Sequence, residues 1–142
     1  MGFTSMKTWG AEVLTSADML TYFTNNINFL KSNIALGAAV ELTIVTGAIT
    51  KTKTYHTITV QGGAGGGNDQ LDSCAGGSEG DILILKPTTS GGSDTVTIAD
   101  STGAGKFILA AGGNFAMDHV DDRWTGIHNG TEWVETSRST NS

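Results

Sequence analysis

The sequence contains one cysteine and one proline, Cys74 and Pro87, and few charged residues. A single cysteine excludes an intrachain disulfide and a zinc site built from cysteines. Charged residues make up 15% of the 142-residue chain, against roughly 25% in ordinary domains, which argues against a bundle of helices with charged faces. No run approaches the ~18 apolar residues of a membrane span, and the N-terminus lacks a signal-peptide pattern, so we predict no membrane segment and no export.

Basic residues are the scarcer charged class. The chain has 8 Lys and Arg against 14 Asp and Glu, which gives a net charge of −6. Nucleic-acid binders generally present a clustered basic face, whereas the basic residues here are scattered and only Lys51 and Lys53 lie close together. The sequence therefore predicts no nucleic-acid partner.

The hydrophobic pattern changes after Gly37 to a two-residue alternation typical of β-strands. Residues 40–45 and 55–60 alternate apolar side chains with polar ones, and four further short β runs follow at 82–85, 95–98, 106–109 and 114–117. We predict a mainly β fold of about eight short strands, as a short-stranded sandwich, a small barrel or a β-helix-like domain. The predicted divisions are an extended arm at 1–14, a helix and linker at 15–36, and a β-rich domain at 37–142.

The last part of the chain is predicted to form a hairpin. Asn129 and Gly130 are the preferred pair for a two-residue type I′ turn between strands at 123–128 and 131–136. That turn would place Gly126 opposite Trp133.

The same register would put Trp124 and Trp133 on one face of the hairpin. Two Trp residues arranged this way favour a core or a subunit interface over a platform for a ligand, and we take both as candidate trimer-interface residues.

Residues 15–31 predict the one helix, with Thr15 as its N-cap. Apolar residues then recur at the three- and four-residue spacings of a coiled-coil seam; the candidate interface positions are Leu20, Phe23, Ile27 and Leu30. One alternative is an amphipathic helix packed on its own β-domain, and the other is a seam shared between subunits around a symmetry axis.

We find no catalytic or metal-binding pattern, and we predict a non-enzymatic protein without a cofactor. Ser78 lies in a G-x-S-x-G sequence, but a glycine-rich loop precedes it and a predicted strand follows, so the strand–turn–helix of a nucleophile elbow is missing. Asp118, Asp121 and Asp122 could hold a hard cation, although Asp residues before a strand are ordinary turn formers, and we predict no metal site.

Two stretches resemble virion proteins of tailed bacteriophages. Residues 9–20 (WGAEVLTSADML) and the following 22–31 (YFTNNINFLK) resemble an N-terminal segment and helix of small phage virion proteins. Three segments of the C-terminal half, 69–72 (DQLD), 80–85 (GDILIL) and 129–138 (NGTEWVETSR), are similar to a β module of phage fibres and head decorations.

The resemblance implies a virion structural protein, commonly a homotrimer, that is made in the host cytoplasm. We expect a capsid decoration (cement) protein that binds the major capsid protein, because the six residues after the predicted hairpin leave no room for a receptor-binding tip. Residues 1–14 would then be a capsid-anchoring arm. Its apolar anchors would be Phe3, Met6, Trp9, Val13 and Leu14. The alternative is a short tail or baseplate fibre, or an adhesin module, whose Trp residues contact host-surface glycans.

Overall fold

The structure is a computed structural model that describes residues 16–33, 37–63, 65, 67–88 and 94–141. The chain divides into two compact units, Met1–Gly37 and Ala38–Ser142. The five candidate anchors of the predicted arm, and the predicted N-cap Thr15, lie outside the described residues.

The first unit contains helix α1, Ser16–Asn33. Residues 15–31 were predicted to be helical, and the helix is confirmed. The chain includes several residues with poor helix propensity, such as Asn25, Asn26 and Asn28. An 18-residue helix of this composition is therefore marginal in isolation and needs packing partners for its stability.

The second unit is mainly β, as predicted, with eleven strands among the described residues. The strands are β1 Val40–Thr43, β2 Ala48–Thr50, β3 Tyr55–Thr59, β4 Asn68–Leu71, β5 Ser73–Ala75, β6 Ile82–Pro87, β7 Thr95–Ile98, β8 Phe107–Ile108, β9 Phe115–Met117, β10 Arg123–His128 and β11 Trp133–Ser139.

The strands wind in a β-solenoid-like arrangement. The chain returns to the same sheet on successive coils, so that β1, β3 and β6 pair in parallel, as do β2 with β5 and β4 with β7. Strand β9 is added antiparallel to β7, and β10 and β11 are added antiparallel after β6. Strand β8 pairs in parallel with β11 at the edge of the largest sheet. The resulting orders are β1-β3-β6-β10-β11-β8, β2-β5 and β4-β7-β9.

The core of the β unit is formed by the inward positions of these short strands. Its largest fully buried side chains are Trp124, Trp133, Phe107, Ile44, Ile58, Leu71, Leu83, Leu85, Ile98, Met117, His56 and Val96. The Trp124 and Phe107 rings meet edge to face with centroids 5.2 Å apart, a favourable aromatic geometry.

The terminal hairpin forms, but the predicted two-residue turn is wrong. His128 pairs with Trp133, so the loop has four residues, 129–132. Asn129 organises it: its side-chain oxygen accepts hydrogen bonds from the N–H groups of Thr131 and Glu132, at 2.9 and 2.7 Å. In this loop only Gly130 has a positive φ, whereas a type I′ turn requires two such residues.

Two glycines between β3 and β4, Gly65 and Gly67, are held to the β unit by a carboxylate. The N–H groups of Gly65 and Gly67 donate to the two oxygens of Asp94, at 2.6 and 2.9 Å. Both glycines have positive φ, which only glycine adopts without strain.

Candidate interaction surfaces

Helix α1 carries an exposed apolar stripe formed by Leu20, Phe23 and Ile27. These side chains are 68, 63 and 51% exposed in the single chain. The fourth predicted seam residue, Leu30, lies in the helix, but its side chain is outside the described part of the structure. Large apolar side chains gain free energy when they leave water, so the stripe is a surface that a partner can cover.

Trp124 and Trp133 do not belong to such a surface. Both are fully buried within one chain. Trp133 packs edge to face on His128 with centroids 4.8 Å apart. The prediction that these two residues form the trimer interface is therefore corrected: they are core residues, and neither can stack on a sugar in this conformation.

A second exposed apolar surface, which was not predicted from the sequence, lies on the six-stranded sheet. Ile82 on β6, Ile127 on β10, Val134 on β11 and Ile108 on β8 are paired in direct register. Since their neighbours along each strand point into the core, all four lie on the outer face. We call these four residues the outer row.

The outer row is open to solvent at one end and half-buried at the other. Ile82 and Ile127 are 44 and 42% exposed, while Val134 and Ile108 are half-buried. The uninterrupted apolar run at 82–85 was the available signal, because such a run indicates a strand with apolar residues on both faces.

The acidic turn after β9 is arranged as a structural turn. Asp122 is fully buried, and its carboxylate accepts hydrogen bonds from the N–H groups of Asp118, His119 and Asn141. Its oxygens are therefore occupied by backbone donors. Among the described residues, no group of three or more His, Cys, Asp and Glu side chains is placed to hold a metal ion.

Ser78 and Cys74 lie near one another along the chain but in different environments. Ser78 is exposed, and its N–H donates to the Asp81 carboxylate at 3.1 Å, in the connection between β5 and β6. Cys74 is buried in β5, and desolvation raises the pKa of its thiol from 9.0 to about 12. A thiol with this pKa is almost entirely protonated at neutral pH, which disfavours nucleophilic chemistry.

Next to Cys74 is an open depression lined mostly by small residues. Its lining includes Gly76, Gly77 and Gly105, together with His128. Gly77 approaches His128 and Trp133 so closely that a Cβ there would lie 2.6 Å from Trp133 Cζ2. This close contact shows that the glycine is needed to pack the chain onto the hairpin.

The comparisons with known proteins give no relative. No protein-family model, curated protein or solved structure matches the chain. In the part of the chain that the structure describes, no helix is both long and apolar enough to cross a membrane.

Proposed function

We propose that this protein is a non-enzymatic structural component of a bacteriophage virion, a homotrimer that decorates the capsid by binding the major capsid protein. The observation that carries the proposal is the exposed stripe of Leu20, Phe23 and Ile27 on α1. Its three- and four-residue spacing fits the second of the two alternatives given above, a seam shared between subunits. The similarity of residues 9–20 and 129–138 to phage virion segments supports the biological setting.

Association through the stripe is favoured because the helix is marginal without it. Fully burying a Leu, Ile or Phe side chain contributes about 1.5–3 kcal/mol, and in a trimer each of the three positions is buried three times. The β unit brings its own packed core of aromatic and aliphatic side chains, so it can serve as a rigid body that the helices hold together.

The assembly is tested with two Asp substitutions in the full-length chain. Ile27→Asp places a charge in the stripe, and the matched control Thr21→Asp places the same charge at an exposed position about 120° around the helix. In light scattering at micromolar concentration, the wild type and Thr21→Asp should have three times the chain mass of 14.7 kDa, and Ile27→Asp should dissociate. A monomeric wild type would refute the trimer.

The location in the virion is tested by deletion. Removing residues 1–14 should abolish binding to purified phage shells while the truncated protein remains trimeric. Particles that lack this protein should have heads of reduced stability. If such particles instead have stable heads but fail to adsorb to host cells, the protein is a short fibre, and capsid decoration is refuted.

A further inference from the structure

The outer row stands out because the outward positions of its own four strands carry no negative charge. The chain as a whole carries −6, yet none of the outward positions on β6, β10, β11 and β8 is Asp or Glu. Glu135, the acidic residue of β11, points inward and is buried. The charged residues at outward positions of these four strands are Lys86 and Arg123, and Arg123 Nη2 lies 3.8 Å from the carboxylate of Asp121.

The apolar surface also continues beyond the outer row. Tyr55 on β3 pairs with Ile84 on β6, and both lie half-buried on the same face, next to Ile82. Neighbouring strands are about 4.8 Å apart, so the outer row alone extends about 14 Å across the sheet. Contiguous apolar surface that is rimmed by charge commonly marks a site of association.

We infer that the outer row is buried against a second copy of this chain within the trimer, an inference that rests on the proposed function. A cyclic trimer is held by heterologous contacts, in which one surface of a subunit meets a different surface of the next. The four strands of the outer row present Lys86 and Arg123 and no carboxylate at their outward positions, so this part of the sheet adds no repulsion between acidic side chains when it meets the acidic remainder of a neighbouring copy. Association of the helices would also hold the β units at high effective concentration.

The test measures how fast an introduced cysteine reacts with a neutral maleimide. Because Cys74 is buried and its thiol pKa is about 12, it should not react with the maleimide, and the measured rate is that of the introduced cysteine. The wild type is the control for any reaction at Cys74. Ile127→Cys probes the outer row. Val45→Cys is the matched control, since Val45 is an exposed apolar residue, at 60%, outside the outer row.

In the assembled protein, Ile127→Cys should react at least about 10-fold more slowly than Val45→Cys. When Ile27→Asp is added to dissociate the helices, the two rates should become similar. Equal rates in a trimer would overturn the inference while leaving the trimer intact. Slow reaction at position 127 in both backgrounds would assign the protection to the chain itself, and protection that requires added phage shells would assign it to the capsid; both overturn the inference.

If Ile27→Asp leaves the assembly intact, the proposal that the α1 stripe is the subunit seam is wrong. The outer row is then tested by diluting the wild-type assembly and the Ile127→Cys variant until they dissociate. Protection at position 127 that decreases together with the particle mass would support the inference, and protection independent of mass would overturn it. A wild type that is monomeric at every concentration would refute both the proposed trimer and the role of the outer row.

Discussion

The indole Nε1–H of Trp133 donates a hydrogen bond of 2.9 Å to the backbone carbonyl of Cys74, 59 residues earlier in the chain. The bond connects the last strand, β11, to β5 in a different sheet. It lies in the buried interior, where a lost hydrogen bond leaves its acceptor without water as a substitute. Trp133 therefore fastens the terminal hairpin to the solenoid-like coils.

The two core tryptophans should differ in their tolerance of phenylalanine. Trp133→Phe removes the hydrogen bond to Cys74, whereas Trp124 Nε1 is buried without a hydrogen-bond partner. Both substitutions remove ring volume, but Trp133→Phe should cost about 1–3 kcal/mol more in the free energy of unfolding. Urea denaturation of the two variants measures this difference. Equal losses would show that the Cys74 bond contributes no net stability.

Gly126 is the position where an added methyl group should be most damaging. A Cβ there would overlap the Trp124 indole and lie 2.9 Å from the Val134 carbonyl oxygen. Gly126→Ala should lower the free energy of unfolding by about 1–3 kcal/mol, the usual cost of overpacking.

Gly113 is the matched control for Gly126. It has open space around its Cα and an ordinary φ. Gly113→Ala should be neutral or slightly stabilising, because alanine narrows the unfolded ensemble. Thermal melts measure both effects, and equal shifts in the melting temperatures of the two variants would contradict the packing seen at Gly126.

The fold class could be predicted from the sequence because the strand signal was strong in most places. Residues 95–98 and 123–128 were predicted as strands with the observed boundaries. The strands β2, β4 and β5 were missed because each has only three or four residues. Their pairing comes from the neighbouring coils, and the alternation within such a short segment is too weak to reveal it.

The register of the hairpin could not be predicted from its turn residues alone. Asn129 satisfies the local N–H groups with its side chain and opens the loop to four residues. As a result, Gly126 lies opposite Glu135, not opposite Trp133 as predicted, and the Trp124 indole covers it. The exposed residues of the α1 stripe have the spacing that the sequence predicted. The outer row, in contrast, could be recognised only from the cross-strand pairing of the complete sheet.

His56 should make stability depend on pH. It is fully buried; its Nδ1–H donates to the Val40 carbonyl at 2.9 Å, and its Nε2 accepts the N–H of Lys53 at 3.0 Å. Desolvation lowers the pKa of His56 below 6.5, and the nearby charges of Lys51 and Lys53 lower it further.

Below pH 6.5 the unfolded chain binds a proton that folded His56 does not, so stability should fall as the pH decreases from about 6.5. The slope is at most about 1.4 kcal/mol per pH unit. Urea denaturation at pH 7.5, 6.5 and 5.5 measures it, and His56→Gln should reduce the slope. A His56→Gln slope as steep as that of the wild type would exclude His56 as its source.

Cys74 should be unreactive in the folded protein. Its thiol pKa of about 12, against 9.0 when unburied, reduces the thiolate fraction about 1000-fold at pH 8. A chromogenic disulfide reagent should therefore react in urea but not with the native chain. The folded thiol also keeps its proton between pH 9 and 12 while the unfolded thiol loses it, so stability should decrease as pH rises through that range. Rapid native reaction at pH 8 would contradict this burial.

Asp122 should be important for stability, and not for metal binding. Its carboxylate accepts three backbone N–H groups, including that of Asn141 at 2.6 Å, which connects the end of the chain to the acidic turn. Asp122→Asn replaces one accepting oxygen with a donor that faces these N–H groups, and should lower the free energy of unfolding by about 1.5–3 kcal/mol.

The control is Asp121→Asn. The Asp121 side chain is 65% exposed and its ion pairs are 3.8–3.9 Å long, so the free energy of unfolding should change by less than about 0.5 kcal/mol. Thermal melts of both variants and of the wild type, with and without millimolar Ca²⁺, measure these effects. If Ca²⁺ raises the melting temperature of the wild type but not that of Asp122→Asn, the Asp122 carboxylate binds a cation after all.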